Sequence, residues 1–171
     1  FMFDALTSFD KPFNQAPSLH IALLVILWHL YAKHLPRVGR WLLHIWFALV
    51  GVSVLTTYQH HFFDIPTGAL LGFFCVWLWP ERHESPLTNI AMTTERKRRL
   101  LATRYLVGSV AIAGLATWIG GTALWLWWPA ASLLLVAVNY AFVGPEGFQK
   151  NADGHMSLAA RALLAPYLAG A

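Results

Sequence analysis

The chain is poor in cysteine and in charge, and each shortage closes off a class of protein. A single cysteine, Cys75, lies inside an apolar run, so there is no disulfide framework and no cysteine-built metal site. Its ordinary role is that of a small buried hydrophobe. Charged side chains make up only 12% of 171 residues against 57% hydrophobic ones, well away from soluble-domain averages. No secretory leader with a basic start and a small-residue cleavage site is visible, and there is no internal repeat or low-complexity linker. The sequence starts at Phe1 and stops in mid-pattern at Ala171, so it is expected to be part of a longer protein.

What is plentiful is apolar and aromatic: nine tryptophans and a mean hydropathy of +0.52. The expected fold class is all-α, a multi-pass helical membrane protein whose first partner is the bilayer. The net charge of +4 then says little about nucleic acid, which is not an expected partner, because basic residues here mostly record the side of the membrane each loop occupies.

A hydrocarbon core of about 30 Å takes about 20 apolar helical residues per crossing. Five segments come close: roughly 18 to 35, 40 to 58, 64 to 80, 104 to 121 and 122 to 143. Gly120 and Gly121 break the last two into a tight hairpin, and Pro129 is expected to kink the fifth. The stretch 155 to 170, with Arg161 and Pro166, either lies in the interface or begins another crossing. Lys33, Arg37 and Arg40 follow the first span. Arg82, Arg96, Lys97, Arg98, Arg99 and Arg104 follow the third, and Lys150 and Arg161 the fifth. Those loops are therefore expected in the cytoplasm, with Lys11 alone outside. The run "TTERKRRLLATR" has a second reading, a nucleic-acid or anionic-lipid patch. The cluster "WLWWP" at 125 to 129 reads as an interfacial aromatic belt, and Gly68 with Gly72 as a small-xxx-small pair that packs the third helix closely with no chemistry implied.

Two polar clusters fall on the outer side of this topology. "APSLH", residues 16 to 20, opens the first span, and "TTYQHHFFDIPTG", residues 56 to 68, joins the second to the third. His60 and Asp64 are four apart and close enough for an imidazole N–H to carboxylate bond, which orients the ring and leaves the other nitrogen as a nucleophile or base. Pro17, Ser18 and the unpaired N–H groups of residues 18 to 20 suit a phosphate at the positive end of a helix dipole. Attack by His60 on that phosphorus, with His20 protonating the leaving oxygen, passes through a phosphohistidine.

"PSLH" followed by "QHHFFD" at the end of a second apolar span resembles the second and third signatures of the type 2 phosphatidic acid phosphatase superfamily. The usual forms there are Pro-Ser-Gly-His and Ser-Arg, five residues, His, three residues, Asp. Leu19 and the double histidine are closer to the branch of the inositolphosphorylceramide synthases. The resemblance covers roughly residues 12 to 80, the last three helices of a six-helix core, and implies His60 as nucleophile, Asp64 as its orienting partner and His20 as general acid.

Ser18, Leu19, Lys11, Ser53 and Gln59 are the expected substrate contacts, and no cofactor or metal is expected. Val54 stands where phosphatases carry a phosphate-binding Arg. The first signature, Lys then six residues then Arg-Pro, is absent and is expected in helices upstream, so the chain alone has an incomplete phosphate cradle. By this resemblance residues 1–80 form the C-terminal part of a lipid phosphatase-like core, 81–104 a basic cytoplasmic loop and 105–171 additional membrane helices, with room for a cytoplasmic domain beyond.

The expected function is hydrolysis of a lipid-linked phosphate at the outer face of the cytoplasmic membrane. Phosphotransfer to an alcohol shares its first half-reaction. Two other classes stay open: a haem or metal protein held by His20, His60, His61 and Asp64, and a non-catalytic anchor. Each residue also has an ordinary reading. Asp64 before Ile65 and Pro66 makes a good helix cap. His29, His34, His44 and His61 read as solvated or capping residues, and His83 and His155 as solvated ones.

Overall fold

The computed structural model describes residues 17–56, 63–81, 83–88 and 90–170. The described residues are helical with no strand among them, an all-α membrane protein. The chain divides into two compact units, Phe1–Cys75 and Val76–Ala171.

In the first unit α1 (Leu19–His34) begins where Ser18, in extended backbone, turns its Oγ back to accept from the Ile21 N–H at 3.5 Å. That cap satisfies one of the N–H groups a helix start leaves unpaired. Lys33 places a cation in the last turn, at the negative end of the helix dipole, and Pro36 ends the helix. α2 (Arg37–Thr56) returns as the second arm of a hairpin. The Trp28 indole N–H donates to His44 Nδ1 at 2.7 Å and the Trp28 ring stacks on Phe47 with centroids 6.2 Å apart. α3 (Asp64–Leu78) places Asp64 and Pro66 in its first turn, where a carboxylate complements the dipole and a missing N–H costs nothing. The Thr67 hydroxyl ties that turn down by donating to the carbonyls of Phe63 and Asp64.

In the second unit α4 (Arg96–Ile119) ends at Gly120, which takes φ +66° and donates its N–H to the Ala116 carbonyl. Positive φ is nearly free of strain only for glycine. A 3₁₀ turn, Gly121–Leu126, leads into α5 (Trp127–Val138), which continues as a π-turn, Asn139–Val143, and a second 3₁₀ turn, Gly144–Phe148. The buried Ser109 hydroxyl bridges α4 to α5 by donating to the Ala130 carbonyl at 2.7 Å. The short helices α6 (Leu158–Leu163) and α7 (Ala165–Gly170) follow. Tyr167 meets Tyr105 edge-on, centroids 5.6 Å apart, and Tyr105 stacks flat on Tyr140. Within this unit the loop after the π-turn is fastened to Trp77, whose indole donates to the Gly147 carbonyl and whose carbonyl accepts from Gln149 Nε2.

Among the described residues, three stretches are long and apolar enough to cross a membrane by length and composition: Arg37–Val54, Arg96–Ile119 and Gly121–Phe148. α1 and α3, with 16 and 15 residues, are shorter apolar helices that rise only about 24 and 22 Å. The sequence suggests five full spans because apolar residues flank these two helices outside their hydrogen-bonded length. Three further expectations change. α4 starts at Arg96 rather than 104, so the basic run forms its first turns. Pro129 falls in the first turn of α5 and kinks nothing, the irregularity being the 3₁₀ turn ahead of it. The stretch 155 to 170 holds two helices of six residues each, which rise about 9 Å apiece and cross nothing. Cys75 is half-buried.

Candidate active site

The residues that matter are brought together by two glycines. A Cβ on Gly68 would stand 2.5 Å from the Ser18 carbonyl oxygen, and one on Gly72 would stand 2.7 Å from that of Ala22. Both pairs step forward by four residues, so α1 and α3 run in the same direction with their backbones nearly touching. Their N-termini therefore lie at one end. The Ser18 N–H donates to the Asp64 carbonyl at 3.4 Å across that end.

This pairing gives the site its electrostatics. Each helix start carries unpaired N–H groups and roughly half a positive charge, and here two such ends stand side by side. Ser18 is 1% exposed and Asp64 only 3%, whereas Leu19 and His20, the next two residues after Ser18, are exposed. A buried carboxylate, a capping hydroxyl and an outward imidazole thus share one helix-end surface. Such a surface suits an anion and a proton donor.

Ser53 lies on α2 three residues before its end, exposed, with its hydroxyl donating to the Val50 carbonyl at 2.8 Å. Thr56 donates to the Ser53 carbonyl in turn. Val54 is half-buried on the same turn. Lys11, Gln59, His60 and His61 lie outside the described residues. Among the described residues no three His, Cys, Asp or Glu side chains gather as a metal-ligand group.

Gly68 and Gly72, named from the sequence only as a packing pair, are what lets the two helix starts meet. Their spacing signals close packing, but the partner on α1 becomes visible only with the backbone in place.

Residues 3–85 match the PAP2 superfamily. That stretch contains α1, α2, α3 and every residue of the candidate site. The PAP2 superfamily that this stretch matches is one of phosphatase and phosphotransferase chemistry on phosphorylated substrates. The match does not separate the inositolphosphorylceramide-synthase-like branch from the rest. Neither a curated protein nor a solved structure matches the chain.

Proposed function

We propose that the PAP2 segment serves a phosphoric ester hydrolase acting on a lipid-linked phosphate, at the extracytoplasmic face of the cytoplasmic membrane. One observation carries the reading: α1 and α3 pair in parallel, so that Ser18, His20 and Asp64 share one end of the unit.

In this reading the phosphate lies against the N–H groups at the start of α1, with Ser18, Leu19, Ser53, Lys11 and Gln59 around it. A nitrogen of His60 attacks phosphorus, the P–O bond to the lipid alcohol breaks, and His20 gives its proton to the departing oxygen. Water then attacks the phosphohistidine and releases phosphate, with His20 taking up the proton. Asp64 holds the His60 ring in the tautomer that presents a lone pair. Positioned proton transfer of this kind is worth about 10² to 10⁴ in rate.

The test uses the full-length protein and a lipid phosphate labelled with radioactive phosphorus. Wild type is expected to trap an acid-labile, base-stable phosphohistidine and to release phosphate, and His60→Ala to do neither. Near-normal turnover in His60→Ala would overturn the reading. Transfer to an alcohol is favoured by two features, Val54 in place of a phosphate-binding Arg and Leu19 in place of glycine. It is recognised by a new phospholipid appearing when an acceptor alcohol is added.

A further inference from the structure

The first turns of α4 gather five cations, Arg96, Lys97, Arg98, Arg99 and Arg104, with Glu95 as the one acidic neighbour in that run and no acidic residue in the first turn. Cations here oppose the helix dipole, so the helix would be more stable without them. None of the five makes an ion pair among the described residues, and Arg96, Lys97, Arg99 and Arg104 are exposed. Arg98 differs: it is half-buried, and a Cβ on Gly144 would stand 3.3 Å from its guanidinium nitrogen.

The rest of the hairpin fixes where these charges lie. The chain entering α4 is tied to the far end of the returning helix, because Ala91 and Thr93 donate their N–H groups to the Phe142 and Ala141 carbonyls. Beyond the cations, α4 is apolar and faces outward at Leu100, Leu106, Val107 and Val110. Its opposite end carries Trp118, 85% exposed, with Trp125 and Trp127 just past the turn. From Leu100 to Ile119 the helix rises about 30 Å, the thickness of a hydrocarbon core. Tryptophans therefore mark one interface and the cations fall at the headgroup level of the other, Arg104 one turn deeper and long enough to snorkel outward.

We propose that Arg96, Lys97, Arg99 and Arg104 form a binding surface for the phosphate groups of anionic phospholipids in the leaflet that this end of the hairpin reaches. Guanidinium forks pair well with phosphate, and a lipid arriving from the side meets apolar helix surface below and unpaired cations above. A nucleic acid would use the charges but leave the exposed leucines and valines without a partner.

The full-length protein is purified in mixed micelles of phosphatidylcholine and phosphatidylglycerol, and the retained lipid is counted by native mass spectrometry. Phosphatidylglycerol is expected to be enriched, and the enrichment to fall as salt is raised. The Gln variant R96Q/K97Q/R99Q/R104Q is expected to lose about fivefold in affinity for each cation removed. The charge-keeping variant R96K/R99K/R104K is expected to retain most of it. Absence of enrichment in wild type, enrichment insensitive to salt, or equal enrichment in a folded Gln variant would overturn the proposal. So would displacement of the retained lipid by an oligonucleotide. Where the Gln variant does not fold, the salt titration of wild type decides.

Discussion

Gly68 rests on the main chain of Ser18, so near that a β-carbon would stand 2.5 Å from the Ser18 carbonyl oxygen. The same oxygen already accepts from the Ala22 N–H within α1 at 3.0 Å, so it cannot move away without breaking a helix bond. Gly68→Ala is therefore expected to force the two helix starts apart, costing about 1–3 kcal/mol and most of the turnover. Gly72→Ala, whose β-carbon would meet Ala22 O and Val25, is expected to act alike. Gly51→Ala and Gly114→Ala, with open space around the added carbon, serve as silent controls. Thermal unfolding in detergent and phosphate release on the same samples check all four.

Asp64→Asn keeps the shape of a 3% exposed side chain and removes its charge. If the carboxylate orients a histidine, kcat is expected to fall by about 10² to 10⁴ with little change in melting temperature. Ser18→Ala removes the cap bond to the Ile21 N–H, expected to cost about 1 kcal/mol, together with one of the proposed phosphate contacts. Paired steady-state kinetics and calorimetry distinguish the two effects.

Much of the first unit is legible in sequence because punctuation residues mark it. Pro17-Ser18 opens α1, Pro36 divides α1 from α2, and Asp64-Ile65-Pro66 opens α3. The start of α4 is not legible from hydropathy, since Arg and Lys lower an apolar window while being good helix formers. Helix length and span length are separate quantities there. The parallel pairing of α1 with α3 is hidden for another reason: Gly68 and Gly72 announce a close approach without naming what approaches. Of the candidate site, the motif spacing reveals the residue set, and the meeting of Ser18 with Asp64 needs the three-dimensional backbone.

In the second unit, Gly147 lies against the carboxamide of Asn139, which is fully buried and has no hydrogen-bond partner among the described residues. A β-carbon at 147 would overlap the Asn139 side chain outright. Gly147→Ala is expected to destabilise the protein by about 1–3 kcal/mol, and Gly147→Ala combined with Asn139→Ala to recover part of the loss. Unfolding midpoints of the single and double variants measure the coupling.

The Tyr167 hydroxyl, outside the candidate spans, is pushed up from 10.0 to about 12, first by burial and then by its hydrogen bond with Tyr105. The folded state thus favours the neutral phenol. Its contribution to stability is fully present below pH 10 and is lost as pH rises through about 12. Ultraviolet titration of tyrosinate is expected to show a late-ionising component that disappears in Tyr167→Phe.

The α4–α5 hairpin has a fixed apolar height, bounded by tryptophan at its tip and by arginine at its root. A thinner host bilayer obliges it to lean, and a thicker one draws charged or aromatic ends into hydrocarbon. Compartments whose membranes differ by a few ångströms are therefore not equivalent homes for this chain, whatever their lipid charge.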